Sequence, residues 1–501
     1  MNPPSPAWRR LLPRSIAGRV ALGVSAALVA LACAFDWNWC RPVIRRYVMS
    51  HSGRDIRFDD LQVHWRDGLD PTIEFRGLTI DNAPWAASRE PFIRAGRIAA
   101  TVSWRSLGSD MTVVNLIELE DAQVDMERRA DGLRNWRVTH PDDRGPPHVR
   151  VLALDARRSA LHLIHRGIGL ELDARTAPLP APETLAAHAA PPLTKRLSFS
   201  GTVDGHAFDG DVHVSDVLTF GATPRRFAVR GTARLGALKL DAAGVSDDVH
   251  ALGDVDLDAT LAAEGSGPPW PLPEAVARVR PLVARGRVAR ENGVLRVQPL
   301  DIGVAGGHVR GTLVIDAART PATLAADLQA RQLRIERLSS TLAANGALSG
   351  AVDGQASVRT RGDSARALVA AAAGSITLSL AEGATVSKRL DARLGLDGGE
   401  WLRTLFDKSA RVPVQCAEAT LALAGGVATP RRFVFETPGT ALAVQGSLNL
   451  ADETVDATLT PAHKKFALLA LDKSIHVEGP WHDVKISLKP PADVSPARCG
   501  R

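Results

Sequence analysis

From Thr420 to Lys489 apolar residues recur at every second position. Leu421 and Leu423 alternate with polar or small neighbours, as do Phe433 and Phe435, Leu442 and Val444, and Leu448 and Leu450. Val455, Ala457 and Leu459 continue the pattern, followed by Ile475 and Val477, then Val484, Ile486 and Leu488. Period two gives each strand one apolar and one wet face, which predicts antiparallel pairing. Turn residues separate the strands at Gly425-Gly426, Pro438-Gly439, Ala451-Asp452-Glu453 and Gly479-Pro480. Seven or so strands at ~4.8 Å spacing make an apolar face about 30 Å wide. By strand parity Phe433, Phe435, Leu442, Val444, Leu448, Leu450, Ile486 and Leu488 share that face, and they are the candidate lining of an apolar groove. A one-sidedly apolar sheet must close on itself, pack on a second layer, or hold an apolar ligand.

The same style of short amphipathic strand runs back to about residue 55. An apolar residue, any residue, then Gly recurs at Phe75-Arg-Gly77, Phe199-Ser-Gly201, Val229-Arg-Gly231, Val309-Arg-Gly311, Leu348-Ser-Gly350, Val444-Gln-Gly446 and Val477-Glu-Gly479. Its spacing is irregular, so it marks no solenoid of fixed period. Two readings stay open: the glycines relieve twist, or they bend a long sheet around a groove. Helices are few, with candidates at 45–49, 274–283, 364–373 and 400–408. Proline-rich or glycine-rich stretches at 142–147, 177–192 and 265–273 read as linkers dividing the body near residues 145, 190 and 270.

At 501 residues the chain exceeds one ordinary core, so several domains or one elongated body are expected. The net charge of +6 is spread along the chain without a run of basic residues. That balance suits anionic surfaces, lipid head groups included, and argues against nucleic acid as a partner. The four cysteines, Cys33, Cys40, Cys416 and Cys499, include no CxxC spacing, so no zinc or thioredoxin-type motif exists. They allow a disulfide outside the cytosol without fixing its pairing.

The N-terminus carries Arg9, Arg10, Arg14 and Arg19 and no acidic residue before Asp36. Val20 to Phe35 is uncharged, and counted from Ile16 the stretch is 20 residues, about 30 Å of helix at ~1.5 Å per residue. Arg19 can snorkel to one interface, and Trp37 and Trp39 stand where an aromatic belt belongs on the other. A retained anchor over 16–36 is expected. A cleaved signal peptide competes with it, through the Ala32-Cys33-Ala34 site, a lipoprotein cut before Cys33, or twin-arginine export. Either reading places the remaining chain outside the cytosol.

No phosphate-binding loop, dinucleotide fingerprint, HExxH or GxSxG is present, so no catalytic residue, cofactor site or metal site is expected and the chain does not read as an enzyme. His162 and His165, three apart on a strand, face opposite sides. Asp209, Asp211 and His213 share one face and could ligate a metal, but they read as the solvated side of an amphipathic strand.

Seven of the ten tryptophans fall within the first 136 residues, the last in the stretch ERRADGLRNW, 127–136. Asp131-Gly132 suits a tight turn, and Asn135 and Trp136 follow it. With FDWNWCRPVIRRYVMSHSGR (35–54), PTIEFRGLTIDNAPW (71–85), PFIRAGRIAATVSWRSL (91–107) and IELEDAQVDMERRADGLRNW (117–136), the order of features resembles the AsmA family of envelope proteins. ALAVQGSLNLADETVDATLTPAHKK (441–465) and SIHVEGPWHDVKISLKP (474–490) look like that family's C-terminal region. The resemblance covers about the first 140 and last 170 residues, and it departs from the family in Arg19 and in the arginines after the span.

The resemblance implies a mainly β protein: a single transmembrane helix, then an elongated, curved, groove-like antiparallel sheet with a few short helices. Its segments are a cytoplasmic tail (1–15), an anchor (16–36), an N-terminal region (37–145), a middle β-rich region (146–300), a C-terminal region (301–490) and a tail (491–501). It implies a single-pass protein of the Gram-negative inner membrane with its bulk in the periplasm. The expected function is phospholipid binding or transfer that contributes to outer-membrane assembly, with membrane phospholipids and envelope or outer-membrane assembly proteins as partners. The alternative is a scaffold or regulator of outer-membrane protein assembly that carries no lipid. Within the family pattern Asp131, Gly132, Asn135 and Trp136 form a structural motif, with Trp136 closing the N-terminal region by packing.

Overall fold

The computed structural model describes residues 36–65, 69–136, 149–185, 190–219, 226–247, 254–263, 281–338, 347–396, 410–464, 472–480 and 483–491. The fold is mainly β with few helices. The expected anchor at 16–36 lies outside the described residues except for Asp36, and no described helix is long and apolar enough to cross a membrane. The chain divides into two compact units, Met1–Gly167 and Ile168–Arg501.

Unit 1 opens with helix α1 (Arg41–Ser52), so the helix expected at 45–49 is present and longer. Gly53, at φ +66, ends it in the left-handed conformation that glycine adopts without steric cost. The strands are β1 (Ile56–Arg57), β2 (Asp60–Trp65), β3 (Pro71–Ile80), β4 (Ile93–Val102), β5 (Thr112–Arg128), β6 (Val149–Val151), β7 (Ala153–Arg157) and β8 (Ala160–His165). Ile44 and Val48, one helical turn apart, press α1 onto Ile56, Phe58, Leu61 and Leu78, all buried. Phe58 and Phe75 meet edge to face, their centroids 5.2 Å apart.

The other side of this sheet is ionic. Glu74, only 3% exposed, receives Arg97 at 3.0 Å and Arg76 at 3.0 Å, and Arg97 reaches on to Glu118 at 3.4 Å. The sheet departs from the all-antiparallel expectation on its far side. β6, β7 and β8 run parallel to β5, with Thr112 opposite Val149 and Gln123 opposite Ala160. A parallel return needs a connection of a dozen or more residues, and the stretch 129–148 between β5 and β6 is long enough to supply it.

Unit 2 contains β9 (Leu170–Glu183), β10 (Leu193–Val203), β11 (His206–Val214), β12 (Leu218–Thr219), β13 (Phe227–Leu235), β14 (Leu238–Ser246), β15 (Val255–Ala263), β16 (Leu282–Glu291), β17 (Val294–Val304), β18 (Gly307–Asp316) and β19 (Thr323–Arg334). Then come α2 (Ile335–Leu338), β20 (Leu348–Ser349), β21 (Ala351–Arg361), α3 (Ala365–Ala370), β22 (Ala373–Leu380), β23 (Thr385–Ser387), α4 (Lys388–Leu394) and β24 (Arg411–Pro413). β25 (Cys416–Ala424), β26 (Val427–Glu436), β27 (Thr440–Asn449), β28 (Thr454–His463), β29 (Ser474–Pro480) and β30 (Lys485–Lys489) complete it. Eighteen strands, β9–β11, β13–β19, β21, β22 and β25–β30, each pair antiparallel with the next. β20, β23 and β24 form a separate small sheet.

Several expectations change here. The proline-rich stretch 177–192 is not a linker throughout, because 177–183 belong to β9. Pro180 and Pro182 fall in a register shift between the pairs Lys195–Pro178 and Leu193–Glu183, where no ladder hydrogen bond from them to β10 is required. Of the helix expected at 274–283, Pro281 is a bend, Leu282 and Val283 are strand, and 274–280 lie outside the described residues. The helix expected at 364–373 is Ala365–Ala370, with Ser364 as its N-cap accepting from the Ala367 N–H at 3.2 Å, and Ala373 already opens β22. The helix expected at 400–408 and the linkers at 142–147 and 265–273 lie outside the described residues. Position 300 falls inside β17, next to a bulge in its pairing with β16 and β18.

Candidate functional site

Directly paired residues of an antiparallel ladder project to the same face, so the register of unit 2 can be read across its strands. One such row runs from Leu257 on β15 through Val288 on β16 and Val297 on β17 to Leu313 on β18, Ala326 on β19 and Val358 on β21. The neighbouring rows on this face are likewise Leu, Val, Ile, Ala, Gly or Phe. The polar exceptions Lys195, Ser246, Arg290 and Thr360 lie at or within two residues of a strand end, while Thr176, opposite Leu197, lies mid-strand on β9. The opposite face is charged and cross-linked by ion pairs, among them Arg196 with Asp211, Arg287 with Asp256 at 2.6 Å and Arg310 with Asp301 at 2.9 Å.

This sidedness survives irregular steps in the sequence. Val297 and Leu300 are three apart, yet both face the apolar side because a bulge at Gln298-Pro299 absorbs the extra residue. A second bulge on β26, at Arg431, keeps Pro430 and Phe433 on that side. The apolar-x-Gly motif follows the same logic, since positions i and i+2 share a face. At Gly311 a Cβ would overlap the carbonyl oxygen of Asp327 on the neighbouring strand, and at Gly446 that of Asp456. Only glycine lets the strands approach so closely on the apolar side. The close approach favours the bending reading of the motif at these two positions.

Among the described residues the apolar face is a single layer over most of its extent. Leu257, Val288, Val297, Ile302, Leu313 and Leu328 are all half-buried, and none reaches the burial of a two-layer core. Helices α2, α3 and α4 contact β19, β21, β27 and the small sheet. Near α3 the face does close locally: Ala372, Leu423 and Ala428 are buried, with Leu448 and Leu450 packed on them. Gly231, Ala242, Ala259 and Gly286 form a continuous cross-strand row of the smallest side chains. With their flanking residues these four line a concavity of about 710 Å³.

The register unites the eight candidate lining residues. Phe435 pairs with Leu442, Val444 with Leu459, Leu459 with Ile475 and Ile475 with Leu488. Gly446, Ala457, Val477 and Ile486 form the adjoining row. Phe433 and Leu448 follow by parity, and Leu450 stands one residue past the end of β27. Their exposure is graded: Leu442 is 3% exposed, Val444 is half-buried and Ile486 is 69% exposed.

Among the described residues no three His, Cys, Asp or Glu side chains are arranged to hold a metal. Asp211 is paired with Arg196, and His213 Nδ1 lies 3.0 Å from Glu183. His162 and His165 occupy β8, opposite Asp125 and Arg128. Cys416 is disulfide-bonded and Cys40 is a free thiol.

In unit 1 the ERRADGLRNW stretch forms a turn in which Gly132, at φ +91, donates to the Arg129 carbonyl and the Leu133 N–H donates to Asp131 Oδ1. The fully buried residue is Asn135. Its Oδ1 accepts from the Glu127 N–H at 2.8 Å, and its Nδ2 donates to the Asp125 carbonyl at 2.8 Å and to Asn82 at 3.0 Å. Trp136 is half-buried, with the Arg134 guanidinium 5.9 Å from its ring centre. Nothing in a lone Asn distinguishes it in sequence as the hub of a turn. The signal available was its place, eight residues after Glu127 and three after the turn glycine.

Comparison with known proteins identifies two matched regions. The model of the AsmA family matches residues 14–174 and 286–433, together more than half of the chain. The second region stops short of 441–465 and 474–490, from which the C-terminal resemblance was read. The AsmA family protein YhjG of Escherichia coli (strain K12) is 31% identical over 199 residues, 40% of this chain and 29% of that protein. The chain thus spans under a third of the curated relative it matches. No solved structure matches it. With the family's match on both sides of the middle strands, the chain belongs to the AsmA family.

Proposed function

We propose that this protein is an inner-membrane-anchored, non-enzymatic lipid-binding and transfer protein of the Gram-negative envelope, with its bulk in the periplasm. Phospholipid acyl chains lie along the apolar face of unit 2, and their delivery contributes to outer-membrane assembly. The observation that carries this reading is a sheet face apolar across eighteen strands and half-exposed over most of them. A face of that kind in water is a liability unless something apolar occupies it. At ~4.8 Å per strand its contour is about 80 Å. A bilayer's hydrocarbon core is about 30 Å thick, so one leaflet spans only half of that. The face is therefore several acyl chains long, which suits a path better than a pocket for one ligand. The disulfide at Cys416 accords with an oxidising compartment.

The test places a photo-crosslinking residue along β27 and β30 in living cells. Capture of phospholipid from Val444 and Ile486, and not from Gln445 or Lys485 on the opposite face, is the expected result. Mass spectrometry of the detergent-extracted protein should then find phospholipid bound. Equal capture from both faces, or none from either, removes lipid carriage and leaves the scaffold of outer-membrane protein assembly.

A further inference from the structure

Helix α1 seals the unit 1 core with one side and exposes large apolar groups on another. Ile44 and Val48 press inward on Ile56, Phe58, Leu61 and Leu78. Trp39, Val43 and Tyr47 recur every fourth residue outside that contact and are 62%, 58% and 62% exposed. A surface helix facing water carries polar residues there, and three large apolar side chains in a row depart from that pattern.

The arginines of the helix divide between two tasks. Arg41 donates to the Asp59 carbonyl and stands 5.2 Å from the Phe58 ring centre, and Arg45 holds Asp55 at 2.6 Å. Both are thereby committed to unit 1. Arg46, three residues after Val43 and so its neighbour on the helix surface, donates to the Pro42 carbonyl at 3.3 Å and has no carboxylate partner among the described residues. The exposed stripe is therefore two aromatic rings and a valine beside an uncompensated cation.

Chain connectivity limits what lies near this stripe. A 3₁₀ turn at Trp37–Cys40 leads directly into α1. Asp36 caps that turn by accepting from the Asn38 N–H at 2.9 Å. Asn38 in turn donates through Nδ2 to Asp60 at 2.8 Å and accepts from the Leu61 N–H at 3.0 Å. Asp36 and α1 are thus one braced piece, in which Tyr47 stands about 18 Å along the axis from Asp36 and Trp39 and Val43 stand closer. The uncharged stretch that begins at Val20 ends at Phe35, the residue before Asp36, whatever course it takes. A second copy paired through the stripe about a two-fold axis would instead set the two Arg46 side chains against each other.

We propose that α1 lies flat in the head-group layer of the membrane, with Trp39, Val43 and Tyr47 entering the interface and Arg46 meeting lipid phosphates, while Ile44 and Val48 hold unit 1 on the water side. Tryptophan and tyrosine beside an arginine are the composition that enters such an interface. The head-group layer is about 5–8 Å deep, so a stripe about 12 Å long meets it along its length only with the helix lying flat. The inference rests on the membrane attachment proposed above, not on the apolar face of unit 2.

The test uses the full chain reconstituted into vesicles of phosphatidylethanolamine and phosphatidylglycerol, with flotation reporting attachment. A photo-crosslinker replaces Val43, Tyr47 or, as a control at the other end of the unit 1 sheet, Leu107, which is 56% exposed. Lipid adducts from Val43 and Tyr47 should exceed those from Leu107 about tenfold. Arg46→Gln should lower the Tyr47 adducts about fivefold, and unchanged adducts in that variant overturn the phosphate contact. A chain that floats with the vesicles but gives no more adduct at Val43 and Tyr47 than at Leu107 overturns the docking of α1 and leaves the attachment standing. Cross-linking of Tyr47 to a second copy of the chain does the same. A chain that fails to float removes the attachment and the docking together.

Discussion

The two units use the same period-two strands for opposite ends. In unit 1 the apolar side is sealed, because α1 lays Ile44 and Val48 over Ile56, Phe58, Leu61 and Leu78. Its polar side is drawn inward, to the point that Glu74 is buried between two arginines. In unit 2 the polar side stays in water apart from buried patches around Ala228 and Val245 and around Val434, Ala443 and His476, and among the described residues the apolar side has no second layer over most of its strands. Alternation therefore specifies a face without specifying what covers it. Twelve residues of amphipathic helix turn one such face into a core, and their lack turns the other into a candidate binding surface.

The sharpest way to break this comparison is to place one charge on each face. Leu78→Asp in unit 1 buries an unpaired carboxylate, costing several kcal/mol, and should abolish accumulation of folded protein. Leu313→Asp sits on the half-exposed face of unit 2, where the carboxylate reaches water. That variant should accumulate with native protease resistance and lose its bound lipid. Equal loss of both variants would show that the unit 2 face is a closed core.

A smaller effect separates Asn135 from Trp136. Asn135→Ala strands the Glu127 N–H and the Asp125 carbonyl in a buried site, at about 2–4 kcal/mol. Trp136→Ala removes a half-buried ring and should cost about 1–2 kcal/mol. Urea unfolding of the two variants gives the order directly. If Trp136→Ala were the more damaging, the packing role implied by the family pattern would outweigh the hydrogen-bonded hub.

The strands and their sidedness were legible in the sequence because period two is a local property. What bends that period was not. Gln298-Pro299 and Arg431 interrupt the alternation, and the register shows single-residue bulges there that preserve the face. Pro178, Pro180 and Pro182 read as a linker because proline is scored against strands, yet Pro180 and Pro182 fall in a register shift of the β9–β10 pair, where the ladder requires no N–H from them. The parallel return of β6–β8 depends on pairing across a long connection, which no local pattern encodes. The hydrogen bond from the Trp104 N–H to Asp70 was equally hidden, since the two are brought together only by the pairing of β3 with β4.

The units should also differ, more modestly, in acid. Burial pushes the Glu74 carboxyl up, but the hydrogen bonds and charges of Arg97 and Arg76 outweigh it and hold the group below the usual range. His64 is the other ionisable neighbour, its Nε2 4.0 Å from the carboxylate. Three further unit 1 carboxyls are lowered: Asp55 by its hydrogen bond to Arg45, Asp60 by Asn38 and Asp121 by Arg158. Among the described residues of unit 2 the lowered carboxyls are Asp301, through His308, and Glu336, through backbone N–H groups. A lowered folded-state value means that the unfolded chain binds protons first as pH falls. The stabilisation is thus complete above the ordinary carboxylate values, about 3.9–4.3, and is lost as pH drops through the folded values below them. Limited proteolysis between pH 6 and pH 3 should cut unit 1 before unit 2. Glu74→Gln should lower stability at pH 6 while flattening the acid dependence of unit 1. An unchanged acid profile in that variant would show that Glu74 carries no share of the titration, and cleavage of unit 2 first would reverse the assignment of the ionic face as unit 1's acid-sensitive element.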